Sequence, residues 1–236
     1  MEWLDRPLAA FDLETTGTDP EEDRIVTASV ALVGAGREPE VNDWLVDPGI
    51  EIPEGATRIH KITTEMAREA GRATADAVAE VTGLLASYLN EDYPIVAFNA
   101  RYDLTMLDRE ARRHGVEPLV DLVGGPMGLI VLDPLILDKQ IDPYRPGKRK
   151  LTDLCEHYGV VLDQAHASNA DALAAARLAW RLGSDNPELG EADLPTLHES
   201  QIEWARAQAE GLQKYFDDKG LDEKVETEWP LVTSLA

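Results

Sequence analysis

Short apolar runs broken by polar residues mark the first fifty positions of the chain, a pattern that is typical of β-strands. The pattern predicts strands at 7–14, 25–35 and 41–46. The connections contain turn-forming residues, among them Pro20 and Gly34. Because connections this short favour antiparallel neighbours, we expect the three strands to lie antiparallel to one another.

Helical spacing of apolar residues dominates from residue 64 onward, with two short apolar runs between the helices. The runs at 94–98 and 128–133 predict buried strands, and the Pro- and Gly-rich stretch 47–63 predicts a loop. The predicted helices span 64–70, 74–89, 101–114, 151–158 and 169–182. Together these elements predict an α/β fold with a mixed central sheet, three antiparallel strands and then parallel strands, flanked by helices.

The character of the chain changes near residue 184. Residues 185–236 hold 13 acidic and 4 basic residues, so we expect a domain at 1–184 followed by an acidic helical extension and tail. A helix is predicted at about 197–216, with an apolar stripe that packs on the protein itself rather than on a partner. The final segment either forms a loose tail or docks back.

Composition restricts the classes to which the protein can belong. The 236 residues include 45 acidic and 22 basic ones, a net charge of −23. Such a charge discourages non-specific binding to nucleic acids and anionic membranes, so a phosphate contact requires bound metal or a local basic patch.

Features of the termini and of cysteine usage favour a cytoplasmic protein. The N-terminus lacks the basic and apolar regions of a signal peptide, and no apolar run approaches the roughly 18 residues of a membrane span. The single cysteine, Cys155, excludes an internal disulfide and a cysteine-based zinc cluster. We therefore expect a reducing environment and no membrane partner.

Two like charges lie on one face of the first strand. Asp12 and Glu14 are two residues apart, between Phe11 and Leu13 and just before a Thr-Thr-Gly turn. A solvated strand face is the simpler interpretation of such a pair. However, half-buried carboxylates repel each other, and a divalent cation with its preference for oxygen ligands resolves this repulsion. The pair therefore indicates a metal site.

Further acids follow at the starts of two helices. Asp103 comes shortly after the buried strand at 94–98, where α/β folds place their ligands. Asp171 lies in the first turn of a late Ala-rich helix, and His166 precedes it by five residues. Taken singly, each acid is also explained by a favourable interaction with the helix dipole.

The three segments together are more specific than any one of them. FDLETTG, FNARYD and HASNADA give D-x-E, N-x-x-x-D and H-x-x-x-x-D in order, over roughly residues 7–183. This order resembles the DEDDh subgroup of the DnaQ-like 3′–5′ exonucleases, typified by the proofreading subunit of the bacterial replicative DNA polymerase. The sister subgroup has a tyrosine four residues before the last aspartate, where this chain has Ala167.

The resemblance implies an RNase H-like fold and a site for two divalent ions, Mg²⁺ or Mn²⁺. By motif position, Asp12 bridges both ions, Glu14 and Asp171 complete the site that holds the attacking water, and Asp103 supports the other. His166 then takes the proton from that water, as a histidine can near neutral pH.

The resemblance also implies substrate contacts around these acids. Residues expected to border the bound nucleic acid are Thr15, Thr16, His60, Asn99 and Tyr102. Ordinary turn, loop or core roles are the alternatives for them. Lys61 stands where the family has Gly, which leaves the backbone of that loop in question. The basic run RPGKRK at 145–150 indicates a contact of Lys148 and Arg149 with the phosphate backbone, against the alternative of a solvated loop.

These expectations favour an enzyme that hydrolyses the terminal phosphodiester of DNA from a single-stranded or frayed 3′ end, in replication, proofreading or repair, with a DNA polymerase as a possible partner. Trimming of RNA ends is the alternative substrate class, since no residue reports on the 2′-hydroxyl. A non-catalytic binding subunit is the third alternative, and the intact set of five catalytic positions argues against it.

Overall fold

The computed structural model describes residues 2–162 and 167–233. A six-stranded sheet in the order β4-β3-β2-β1-β5-β6 forms its centre. The strands are β1 (Leu8–Thr15), β2 (Ile25–Val33), β3 (Glu40–Asp47), β4 (Arg72–Ala73), β5 (Ile95–Val96) and β6 (Val131–Leu132). Strands β1, β2 and β3 pair antiparallel, whereas β5 runs parallel to β1 and to β6. The predicted α/β fold with a mixed sheet is confirmed.

Helices cover both faces of the sheet. They are α1 (Glu54–His60), α2 (Thr64–Ala70), α3 (Thr74–Asn90), α4 (Ala100–Arg113), α5 (Leu119–Leu122), α6 (Pro134–Ile141), α7 (Leu151–Tyr158), α8 (Ser168–Asp185), α9 (Pro187–Gly190) and α10 (Leu194–Lys219). Within the described part of the chain, none of these helices has the length and apolar character needed to cross a membrane.

Strand β1 divides its side chains between the two faces of the sheet. Phe11 and Leu13 belong to the core that α3 and α4 cover, and Ala10 belongs to the core beneath α8. Because side chains alternate along a strand, Asp12 and Glu14 continue the Ala10 face, where the strand emerges from the core. The period-2 pattern of the sequence thus fixes which side of the sheet carries the acids.

Four helices, α1, α5, α6 and α9, lie where the sequence predicted none, and so does the two-residue strand β4. Helix α1 falls inside the predicted loop 47–63, with Pro53 at its N-cap, where a missing backbone N–H is tolerated. Helix α6 follows Asp133, whose side chain accepts a bond from Leu135 N, with Pro134 in the first helical position. Strands β5 and β6 are shorter than predicted, with only two paired residues each.

The C-terminal segment covers the edge of the sheet. Val131 lies on the edge strand β6. Its N–H donates to Nδ1 of His198 on α10 at 3.2 Å, and its carbonyl accepts from Nε2 of Gln201 at 2.9 Å. The N–H of Asp133 donates to Oε1 of Gln201 at 2.8 Å. The Gln201 amide therefore replaces a neighbouring strand and satisfies backbone groups that an uncovered edge would expose.

The chain beyond α10 docks against the same body. Trp229 and Leu231 are 6% and 7% exposed and belong to the core beside α3 and α4. The N–H of Val232 donates to Oγ1 of Thr105 at 2.9 Å. Of the two arrangements that the sequence left open, a loose tail or one that docks back, the structure therefore has the docked tail up to residue 233.

Removing the Gln201 amide should destabilise the protein. Gln201 is fully buried, and Gln201→Ala leaves the Val131 carbonyl and the Asp133 N–H without their partners. We expect the free energy of unfolding in urea to fall by about 2–3 kcal/mol. Gln213→Ala is the matched control on the same helix, because its hydrogen bonds to Asp217, Glu223 and Val225 lie at or near the surface, where water can replace them. Equal losses for the two variants would contradict this role of Gln201.

Candidate active site

Three carboxylates from two elements meet at one place. Asp12 and Glu14 extend from β1, and Asp171 extends from the first turn of α8. One oxygen of each lies within 4.8 Å of the others, and all three side chains are half-buried. Oxygen donors at this spacing are the ligands that hard divalent cations prefer. These three residues, which the sequence had placed in a metal site, are thus brought together by the fold.

Small residues allow α8 to bring Asp171 so near to β1. The helix buries Ala172, Ala175, Ala176 and Ala179 against the sheet, where Ala10 and Ala31 face them. Alanine on both surfaces permits a close approach of helix and sheet. The Ala-rich sequence of α8 therefore sets the distance between Asp171 and Asp12.

Asp103 lies beside this group and is 5% exposed. Its Oδ1 accepts from the N–H of Leu13 at 3.1 Å. Ala9 N bonds to Pro94 O on the β5 side, and alternate amides of a strand point the same way. The Leu13 N–H therefore points toward the β5 side, at a position past the end of β5. There the Asp103 carboxylate accepts the hydrogen bond that a neighbouring strand would otherwise accept. This places Asp103 next to the stretch of β1 that carries Asp12 and Glu14.

Burial and mutual repulsion disfavour the charged forms of these acids. Burial raises the pKa of Asp12 well above its ordinary value, and the charges of Asp103, Asp171 and Glu14 raise it further. Burial and the nearby Asp171 raise the pKa of Glu14 to about 7. Burial also raises the pKa of Asp103, although the Leu13 amide opposes this. Among the described residues, no lysine or arginine lies within ion-pair distance of Asp12 or Glu14.

The approach to α8 carries the expected general base. His166 lies outside the described residues. The helix begins at Ser168, with Ala167 at the N-cap and no side-chain cap. Asn169, in the first turn, donates from Nδ2 to Asp43 at 3.0 Å.

The turn after β1 is held by its own hydroxyl groups. Thr15 Oγ1 donates to Gly17 O at 2.6 Å, and Tyr102 OH donates to the same carbonyl at 2.6 Å. Thr16 is buried, and its hydroxyl bonds to Asp23 and to the N–H of Arg24. In this structure the hydroxyls of these expected substrate contacts therefore shape the turn.

His60 stands between two clefts that share Glu14. One cleft, of about 270 Å³, is lined by Thr27, Trp44 and Ser168. The other, of about 250 Å³, is lined by Thr15, Gly17 and Tyr102. Burial lowers the pKa of His60, so its ring is neutral near pH 7.

Lys61 ends helix α1 directly after His60. Its backbone has φ 68° and ψ 7°, the left-handed region that glycine adopts most readily. The loop therefore takes a turn suited to glycine in spite of the lysine, at a cost of roughly 1 kcal/mol.

Two of the four basic residues at 145–150 form ion pairs within the protein. Arg149 and Arg145 form ion pairs with the fully buried carboxylate of Asp138, and Tyr158 OH donates to the same carboxylate at 2.9 Å. Lys148 is exposed. The sequence could not show that a buried acid on α6 balances two of the four cations.

Asn99 and Asp133 meet at the start of α4. Asn99 has φ 61°, in the left-handed region, and its N–H donates to Oδ1 of Asp133 at 3.0 Å. Sequence reasoning did not select Asp133 as a site residue. The Asp-Pro pair at 133–134 is a helix-start signal. It could have predicted that Asp133 caps α6, but it carries no information about the bond from Asp133 to the start of α4.

Comparisons with known proteins agree with this arrangement. Residues 9–179 match the RNase_T family model, described as exonuclease. A DNA polymerase III subunit epsilon-like protein of Rhodobacter capsulatus is 33% identical over 177 residues, which cover 73% of this chain and 23% of that protein. A PolC-type DNA polymerase III of Lacticaseibacillus paracasei is 28% identical over 172 residues, which cover 73% of this chain and 11% of that protein.

Solved structures with the same fold include exonuclease I of E. coli in complex with a dT13 oligonucleotide. It has a TM-score of 0.62 and 22% identity, and the match covers 78% of this chain and 42% of that one. Exonuclease I from Methylocaldum szegediense gives the same TM-score of 0.62 at 22% identity. The chain thus spans less than half of these structures and about a quarter or less of the curated relatives described above. Because the exonuclease model matches most of its length, the chain belongs to the DnaQ-like family of 3′–5′ exonucleases.

Proposed function

We propose that this protein is a metal-dependent exonuclease that removes nucleoside 5′-monophosphates from the 3′ end of DNA. The observation that carries the proposal is the gathering of Asp12, Glu14 and Asp171 within 4.8 Å, with Asp103 hydrogen-bonded to the strand between the first two. A purely structural cluster of acids without a cation would be costly to bury.

The donor set fits divalent ions, for which we propose Mg²⁺ or Mn²⁺, two in number. Asp12, Glu14 and Asp171 would hold one ion, and Asp103 with Asp12 would hold the other. Bound there, the ions supply positive charge next to the phosphoryl oxygens, where negative charge develops during hydrolysis. Carboxylates gathered before metal arrives need no rearrangement during the reaction.

The chain's own residues account for the remaining steps of the proposal. His166 takes the proton from the attacking water, since histidine has a reference pKa of about 6.5. The two clefts beside His60 and Glu14 would receive the terminal nucleotide, and Tyr102 would contact its base or sugar. Lys148 would contact the phosphate backbone. Arg149, held by Asp138, would support the loop that carries Lys148.

DNA is the favoured substrate, and a DNA polymerase is the favoured partner. Two relatives are DNA polymerase III proteins by name, and the exonuclease I structures include complexes with deoxyribose oligonucleotides. A single-stranded or frayed 3′ end is the natural substrate of a site in which the reacting end must enter a cleft. A proofreading or repair role follows if a mismatched end is removed faster than a paired one.

Product analysis tests the proposed substrate. With Mg²⁺ or Mn²⁺, 5′-labelled single-stranded DNA should shorten stepwise from its 3′ end and release nucleoside 5′-monophosphates. Matched RNA of the same sequence should react at least tenfold more slowly, and Asp12→Ala should lose all metal-dependent turnover while it keeps its fold by circular dichroism. Preferred digestion of RNA would transfer the proposal to RNA ends. Failure to shorten any strand would favour a binding subunit.

The acid cluster should make stability depend on pH in the absence of metal. A folded-state pKa raised above the unfolded value gives stability that is complete at low pH and is lost as pH rises through the folded value. For Glu14, a rise from 4.5 to about 7 corresponds to at most about 3 kcal/mol lost between pH 4 and pH 8. The measurement is the unfolding free energy in EDTA, relative to Glu14→Gln.

Added Mn²⁺ should recover this loss, with a larger rise in melting temperature at pH 8 than at pH 5.5. The Glu14→Gln variant provides the control for all other titrating groups. The electrostatic account of Glu14 would be wrong if its contribution in EDTA grew as pH rose.

Replacing the expected general base should affect the rate of the chemical step. We expect His166→Ala to lower kcat by about 10²- to 10⁴-fold and to leave Mn²⁺ binding within a fewfold of the natural protein. His157→Ala on helix α7 is the control, since it removes a histidine that is not assigned to the site. A change in KM alone, with kcat preserved, would rule out a role for His166 as base.

A further inference from the structure

Asp133 joins the starts of two helices. Its carboxylate is 1% exposed. Oδ1 accepts from Asn99 N at 3.0 Å and from Leu135 N at 2.9 Å, and Oδ2 accepts from Ala100 N at 3.0 Å. One carboxylate thus binds the first amides of both α4 and α6, and charged acceptors bind such amides more strongly than neutral ones do.

Helix α4 depends on this external acceptor, because its own N-cap residue supplies none. Asn99 has a left-handed backbone and makes no side-chain cap bond. Helix N-termini otherwise leave their first amides without partners. Asp133 therefore fixes where α4 begins and in which direction its first turn points.

The first turn of α4 carries Asp103. Asp103 lies three residues after Ala100, and its carboxylate reaches the Leu13 amide between Asp12 and Glu14. A shift of the helix start moves Asp103 with it, since about one turn of rigid backbone separates Ala100 from Asp103. Two hydrogen bonds, joined by one turn of helix backbone, thus link Asp133 through α4 to β1.

The C-terminal segment also holds Asp133. The Asp133 N–H donates to Oε1 of Gln201 at 2.8 Å, and Trp229 Nε1 lies 3.4 Å from Oδ2. Gln201 comes from α10 and Trp229 from the docked tail. Both residues lie outside the stretch that matches the exonuclease model, which ends at residue 179.

We propose that Asp133 is a positioning residue for the metal ligand Asp103, and that Gln201 and Trp229 make the C-terminal segment part of the active-site support. The metal-ligand role of Asp103 rests on the proposed function. The link from Asp133 through the first turn of α4 to the Leu13 amide does not. Partners one step removed from a metal ligand commonly change metal affinity by 10- to 100-fold when replaced.

Amide exchange measured by NMR on the metal-free protein tests the positioning directly. The readout is the exchange rate of the Leu13 amide divided by that of Ala9, which lies in the same strand and bonds to Pro94 rather than to Asp103. We expect Asp133→Asn to raise this ratio at least tenfold. Global destabilisation would speed the two amides alike and leave the ratio unchanged.

Mn²⁺ titration calorimetry supplies the second readout. Asp133→Asn should weaken Mn²⁺ binding at least tenfold, with kcat at saturating Mn²⁺ within a fewfold of the natural protein. Gln201→Ala should show a smaller change of the same kind, and it covers the case in which Asp133→Asn does not fold.

Asp108→Asn is the matched control. Asp108 is also buried and lies on α4, but it pairs with Arg109 and Arg112 away from the start of the helix. The Asp108→Asn variant should have a lower melting temperature, whereas its exchange ratio and Mn²⁺ affinity should equal those of the natural protein.

The two proposals fail in different ways. If Asp133→Asn and Gln201→Ala lower the melting temperature but leave the exchange ratio and Mn²⁺ affinity unchanged, Asp133 is structural only and the positioning proposal is overturned. If the natural protein binds no Mn²⁺ and digests no strand while the exchange ratio still rises in Asp133→Asn, the hydrogen-bonded link to Asp103 stands and the proposed function is wrong.

Discussion

Several carboxylates lie close together at one half-buried face of β1, and their mutual repulsion is the constraint on which the structure of the site depends. Asp12 and Glu14 share that face by the alternation of the strand, and Asp171 and Asp103 approach from helices on opposite faces of the sheet. Burial and mutual charge raise the pKa values of Asp12 and Glu14. Holding the acids in this way costs electrostatic energy, which the proposed cations would offset.

Three other buried acids of the protein form ion pairs with arginine. Asp108 pairs with Arg109 and Arg112, Glu110 with Arg113, and Asp138 with Arg149. The chain therefore places arginine beside these three acids. Asp12 and Glu14 have no such partner among the described residues, and this difference supports the proposed metal site.

The C-terminal segment joins the architecture to the site. Gln201 and His198 satisfy the edge strand β6, and the same glutamine holds the backbone of Asp133, which sets the start of α4. Edge protection and the proposed positioning of Asp103 thus depend on the same few hydrogen bonds. The extension expected from the acidic composition of 185–236 contributes to the fold as well as to charge.

The sequence by itself determined five of the six described strands, most helices and the acids that gather, because periodicity and motif spacing record the local direction of each side chain. Period 2 placed Asp12 and Glu14 on one face, and the starts of α4 and α8 located Asp103 and Asp171. Tertiary structure alone decided that Asp138 balances Arg149, that Tyr102 closes the turn after β1, and that Asp133 caps a helix 33 residues before it in the chain. These pairings join groups distant in the chain, and a local pattern carries no information about which distant group will satisfy a buried charge or amide.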